Sequence, residues 1–290
     1  MRRLIIALLS LLLVASAFAL IHRKTLRSDE TSVQMTPEEH YYLATFFNVI
    51  LFSDDFSYLL FGSKPVACTS FEKSIPFNFS YECVSGFNFT INKGLEVFKK
   101  YRHLFSSRNI IVHLSEDADY TYLLMINREN LLKTLEEHIN DFQQVLGQNY
   151  TTDSLFAQIT GKEYLADVIK NHEALLGILL GYGRNNAWNF HQKNKLSRRL
   201  NRFKPPIKRD SSLEKEFAEL VKKTTFFSDD VHEKKYILKS PRIPLLHFMA
   251  DPNSPETKKL REQYGKERED MRRLFSRRDC ANATFQKLMD

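Results

Sequence analysis

The run from Lys162 toward Leu200 holds the longest helical pattern in the chain, and it limits the fold more than any other feature. Its centre reads HEALLGILLGYGRNNAW, from His172 to Trp188. At 100° per residue, His172, Leu175, Leu176, Leu179, Gly183 and Phe190 fall on one side, and Ala174, Gly177, Gly181 and Trp188 gather on the other. A helix that is apolar on both sides must be surrounded by other elements. The pattern therefore predicts a multi-helix domain whose core centres on Leu175, Leu176, Leu179 and Trp188. Gly177 and Gly181 stand one turn apart, so a neighbouring backbone can approach closely there. Each glycine costs about 1 kcal/mol relative to alanine within a helix, which calls for a packing reason.

The flanking sequence points the same way. Thr36-Pro37-Glu38-Glu39 is a helix start, with an N-cap threonine, proline at the first helical position and acid in the first turn. The aromatic run that follows reaches Phe52, and Ser53-Asp54-Asp55 caps a shorter segment ending at Gly62. Residues 63 to 92 show little helical period and read as loop with short extended pieces, and a helix resumes from Lys93 to Phe105. Ile110–Leu114 and Thr121–Ile126 are β-rich runs around a turn-prone Ser-Glu-Asp-Ala-Asp, the mark of an antiparallel hairpin. Asn127 caps a helix to about Leu146 that Gly147 ends, and Thr152 or Asp153 caps another that stops near Gly161. Ser211-Ser-Leu-Glu214 and Ser254-Pro255-Glu256 open two more, to about Lys223 and Arg277. The fold class is mainly α with a small antiparallel β-hairpin. A hydrophobic share of 43%, with 23 phenylalanines and 12 tyrosines, supplies the core.

Residues 1–21 carry a different signal. Arg2 and Arg3 precede the apolar run Leu4–Val14, and Ala15-Ser16-Ala17 and Ala17-Phe18-Ala19 both satisfy the small-x-small cleavage rule. The segment reads as a signal peptide. As an uncleaved anchor, Leu4–Ile21 is just long enough to span a thin membrane. Residues 22–35 are a polar linker, and 36–290 form a single mainly helical domain. Either reading places the protein outside the cytoplasm: in the periplasm, anchored to the inner membrane, or secreted. Its membrane contact then lies in the N-terminal segment. In an oxidising compartment Cys68 and Cys83 could pair, closing a loop worth roughly 3 kcal/mol in the chain-entropy model, and Cys280 is left odd. The alternative is three unrelated thiols.

Formal net charge is +7, and +5 once Arg2 and Arg3 leave with the export segment. Lys193 to Arg209 holds eight basic residues and no acid, a solvated basic linker by default. Export argues against nucleic acid as partner.

Catalytic signatures are sparse. His172-Glu173 opens like a zinc-peptidase helix, but the required second histidine is Leu176. The next histidine downstream, His191, lies about 28 Å along a continuous helix, so the two share a site only if the glycines break it. Glu173 and Arg184 would be about 16 Å apart. There is no Gly-x-Ser-x-Gly elbow and no Cys-x-x-Cys pair, so no catalytic residue, metal or cofactor is assigned. The candidate ligand-binding residues are His172, Glu173, Arg184, Asn185 and Asn186. A guanidinium in an apolar helix keeps its charge, so Arg184 requires a partner from another element. Lys64, in Leu60-Phe-Gly-Ser-Lys-Pro65, sits at a helix exit or binds an anion.

LFGSKP, INRENLLKTLEEHINDFQQVLG and HEALLGILLGYGRNNAW together resemble a family of exported proteins from bacteria that live inside eukaryotic cells. The resemblance spans roughly residues 40 to 280, with LLGYGRNNAW its most specific part. It implies export and a host-associated setting, and carries no catalytic residue. The expected function is a non-enzymatic protein that binds an unidentified protein or small molecule. The alternative is a hydrolase-like enzyme built around His172, Glu173 and Arg184.

Overall fold

The computed structural model describes residues 35–53, 55–73, 82–105, 107–161, 164–202, 211–227, 243–244, 246–277 and 280–289. The candidate export segment and linker, residues 1–34, lie outside these. The chain forms two units, Met1–His40 and Tyr41–Asp290. Of the first, residues 35–40 are described. Thr36 Oγ1 accepts from the Glu39 N–H at 3.2 Å, and Glu39 Oε2 accepts from the Thr36 N–H at 2.9 Å. This is a reciprocal capping box at the expected helix start.

That helix is α1, Pro37–Ser53, followed by α2, Phe56–Phe61. Strand β1 (Val66–Glu72), helix α3 (Glu82–Tyr101) with a 3-10 turn at Arg102–Leu104, and strands β2 (Ile110–Glu116) and β3 (Tyr120–Asn127) come next. Helices α4 (Arg128–Leu146), α5 (Thr152–Gly161), α6 (Leu165–Val168), α7 (Glu173–Leu179), α8 (Arg184–Arg202) and α9 (Ser211–Lys223) follow. A short pair, β4 (Thr225–Phe226) with β5 (Met249–Ala250), precedes α10 (Pro255–Arg277) and α11 (Cys280–Met289). The protein is mainly α with a small antiparallel sheet.

The expected hairpin is present as β2 and β3. Asp117 shapes its turn by accepting from the N–H groups of Asp119 (2.9 Å) and Tyr120 (2.7 Å). The sheet is larger than a hairpin, however. β1 pairs antiparallel with the other edge of β3, from Val66 opposite Ile126 to Glu72 opposite Tyr120. The strand order is β1-β3-β2. Residues 66–72 are thus a full strand rather than loop, because β3 offers a second edge that no local pattern reveals. α3 likewise starts at Glu82, eleven residues before the expected Lys93.

One cluster of the core joins the sheet to α4–α8. Val66, Leu124 and Ile126 meet Leu135 and Phe142 of α4, with Leu175 and Leu179 of α7 fully buried among them. Leu176 is only partly buried at its margin. Full burial of one such leucine contributes roughly 1.5–3 kcal/mol. Asn127 caps α4 as expected, its side chain accepting from the Asn130 N–H at 3.1 Å, and Gly147 ends it at φ 127°. No helix among the described residues is long and apolar enough to cross a membrane.

Over its described residues, 164–200, the region expected as one long helix is not one helix. It is three, broken at Lys170-Asn171 and again at Gly181–Gly183. Gly181 (φ 75°) and Gly183 (φ 87°) take left-handed conformations that side chains rarely adopt. The chain reverses there, and α8 packs back on α7. Gly177 provides the close approach: a Cβ on it would lie 2.7 Å from Ala187 Cβ. The neighbour that the small residues admit is the next helix of the same chain.

Candidate functional site

The reversal brings His172 and His191 together, with ring centroids 4.3 Å apart and planes tilted by 30°. His172 is the N-cap residue of α7, in extended backbone, and makes no side-chain cap bond. Just before it, Lys170 (φ 51°) and Asn171 (φ 55°) are consecutive left-handed residues, a costly conformation for non-glycine side chains. Trp188, three residues before His191, sets its ring edge-to-face against His172 at 5.4 Å and His191 at 5.9 Å.

Glu173 closes the group. Its Oε1 accepts from Asn194 Nδ2 at 3.3 Å and from the Arg198 guanidinium, and its Oε2 lies 3.3 Å from His191 Nδ1. Nδ1 of His172, Nδ1 of His191 and Oε2 of Glu173 are buried atoms without a hydrogen bond. Burial pushes His172 below the ordinary imidazole range, and the neighbouring His191 adds to this while Glu173 opposes it. Among the described residues no group of three histidine, cysteine or acidic side chains is arranged to hold a metal ion.

Arg184 opens α8, and its partner comes from another element: Asp141 of α4 supplies the carboxylate, with Nε donating to Oδ1 at 2.9 Å and Oδ2 at 2.7 Å. The hydrogen bond to Asp141 is the main cause of its raised pKa. Trp188 Nε1 donates to the same Asp141 Oδ1 at 2.8 Å. The guanidinium itself is not buried, being 48% exposed against 4% for Asp141. It lies at the helix start, where the glycine reversal leaves one side open.

Asn185 and Asn186 do not join the histidines. The backbone N–H of Asn185 donates to Glu256 Oε2 of α10 at 2.9 Å. Asn186 is buried: it donates to the Tyr182 carbonyl at 3.0 Å and accepts from the Asp251 N–H and the Thr257 hydroxyl, both at 3.1 Å. The five candidate residues thus divide into a seam (His172, Glu173), an ion pair facing α4 (Arg184) and two links to the C-terminal part of the chain.

Lys64 is fully buried. Its ammonium is paired with Asp55 and lies over the Tyr182 ring, so its anion is internal. Cys68 lies exposed on β1, and the side chain of Cys83 falls outside the described residues, so the bridge remains an expectation.

His191, Trp188, Asp141, Asn194 and Arg198 were absent from the candidate site residues. The signal for His191 is a pair of glycines two positions apart, Gly181 and Gly183, in the middle of a helical pattern with a histidine on each side. No family model, curated protein or solved structure matches the chain.

Proposed function

We propose that this is an exported, non-enzymatic binding protein that contacts its partner through the α7–α8 seam. One observation carries the reading: each carboxylate at the seam is engaged by side chains of this chain, while His172 Nδ1, His191 Nδ1 and Glu173 Oε2 are left without a hydrogen bond. Asp141 takes both Arg184 and Trp188, and Glu173 takes Arg198 and Asn194. Paired groups with an exposed rim suit recognition of a partner surface. Along α8 that rim includes exposed Phe190, Gln192, Lys195 and Arg199. The residue pattern at 1–21 supports export, as does the resemblance to exported proteins.

A photocrosslinking residue at exposed Lys195 should give a discrete adduct in the native setting, and the same residue at exposed Lys133 on α4 should give none. Equal labelling from both positions would remove the seam as the contact site.

A second reading has its own observation. The approach of Glu173 Oε2 to His191 Nδ1, 3.3 Å apart without a hydrogen bond, supports a carboxylate–imidazole pair of the kind a hydrolase uses as its base. Turnover of ester, phosphoester or peptide reporters that disappears in both Glu173→Gln and His191→Gln would replace the binding reading with a hydrolase.

A further inference from the structure

We infer that the turn Lys170–Glu173 is an acid-released latch, held against α8 by the contact between His172 and His191. The elements of a latch are all present. Lys170 and Asn171 are two successive left-handed non-glycine residues, a strained conformation that persists only while its surroundings hold it. What holds it is a small set of contacts: the Asn171 N–H donates to the Ala166 carbonyl at 2.8 Å, the His172 N–H to the Ile169 carbonyl at 3.0 Å, the Lys170 ammonium to the Leu146 carbonyl at the end of α4 at 3.4 Å, and the His172 ring rests on His191 and Trp188 of α8.

Two imidazoles with centroids 4.3 Å apart pack well only while at least one is neutral. Glu173 Oε2 lies 3.3 Å from His191 Nδ1 and offers a counter-ion for one charge in the pair. With both rings charged the second has no such counter-ion, because Glu173 is already shared with Arg198 and Asn194. The surrounding charges do not relieve it. On α4, Asp141 is bound to Arg184 and Trp188, and His138 lies 4.0 Å from that same Asp141. On α9, Glu216 is engaged with Gln192 of α8. Double protonation therefore places net positive charge inside the seam, and the strained turn is the part free to move.

The direction follows from linkage. A histidine held below its usual value contributes stability that is present above about pH 6.5 and is lost as pH falls through the lowered value. Release of the turn would uncover His191 between the exposed Phe190 and Gln192 of the α8 rim. This regulates the contact surface proposed above, and the two readings fail separately, because the latch is measured without any partner.

Trp188 is the single tryptophan of the chain and touches both imidazoles, so its fluorescence reports on them directly. Acidifying the full-length protein from about pH 8 to about pH 4.5 should quench the emission in a step with its midpoint below 6.5. The step should be lost in His172→Gln and in His191→Gln and retained in His138→Gln. Over the same range, hydrogen exchange at the Asn171 and His172 amides, corrected for intrinsic pH dependence, should accelerate about tenfold, while α4 amides stay protected. A flat emission profile, or unchanged protection at those two amides, would overturn the latch. Should a glutamine variant fail to fold, imidazole proton NMR of the wild type decides instead. Two coupled titrations support the inference, and two independent ones at ordinary values overturn it.

Discussion

The ammonium of Lys64 lies 4.7 Å from the centroid of the Tyr182 ring and is paired with Asp55. This contact joins the LFGSKP segment to the Gly-Tyr-Gly reversal, which are far apart in sequence. Burial lowers the pKa of Lys64, and Asp55 opposes that shift. Asp55 is the counter-charge of the lysine, and removing the lysine strands a carboxylate that is 24% exposed. Lys64→Met should cost about 3 kcal/mol, the low end for breaking a buried pair, because water reaches Asp55. Asp55→Asn with Lys64→Met should recover much of that loss. Denaturant melts of the four proteins form the test, and strictly additive losses would mean that the pair is not coupled.

Gly177 is the second place where the reversal depends on a single atom. Alanine there sets its Cβ 2.7 Å from Ala187 Cβ and 3.3 Å from Ala187 Cα. The helices must separate, at about 1–3 kcal/mol for an overpacked contact. Gly161→Ala is the control, since a Cβ at that position meets nothing within 4 Å. Thermal melts should show a clear loss for Gly177→Ala and none for Gly161→Ala. Equal behaviour of the two would mean that α7 and α8 are not in close contact.

These contacts mark the limit of what the sequence discloses. Helix starts are written locally, because a cap and the N–H that donates to it lie within four residues: Thr36 with Glu39, Asn127 with Asn130, Ser254 with Thr257. The β2–β3 hairpin is local for the same reason. The break at Gly181 is not, because its cause sits elsewhere. Tyr264 of α10 donates its hydroxyl to the Gly181 carbonyl at 2.6 Å, and the same hydroxyl would lie 2.6 Å from a Cβ at that position. A wheel drawn through Lys162–Leu200 assumes no such visitors, so it keeps His172 and His191 apart when the fold stacks them. Arg184 illustrates the intermediate case. Charge physics demands a partner from another element, but only the fold names Asp141.

Glu267 carries a pH dependence of opposite origin to that of the seam. Burial raises its carboxyl above the usual range, although the Ser63 N–H donates to Oε2 at 3.2 Å and the Gln263 amide to Oε1 at 3.3 Å. A carboxyl that binds its proton more tightly when folded contributes stability that is present while it is protonated and lost as pH rises through the folded value. Glu267→Gln keeps the neutral form at every pH. Its melting temperature should match the wild type near pH 4 and exceed it increasingly toward neutrality, measured by scanning calorimetry across that range. A difference that does not change with pH would assign the effect to altered hydrogen bonding rather than to ionisation.

Arg184→Ala tests the ion pair that ties the α7–α8 reversal to α4. The guanidinium is half exposed, so the cost comes from what it leaves behind: Asp141, 4% exposed, retaining the Trp188 N–H as its remaining donor. An exposed pair is worth up to about 1 kcal/mol and a fully buried one about 3–5 kcal/mol when broken. The mixed burial here places the loss between them, at about 1–2 kcal/mol. Asp141→Asn in the Arg184→Ala background should recover part of it, because an amide needs no counter-charge. Arg184→Lys should do worse than wild type, since an ammonium cannot reproduce a guanidinium N–H lying in line with both carboxylate oxygens. Equilibrium unfolding followed by Trp188 emission reads all three proteins at the affected site. If Arg184→Ala unfolds with wild-type stability while the Lys195 crosslink is lost, the guanidinium serves the partner rather than the fold, and the contact surface extends from the histidine seam to the start of α8.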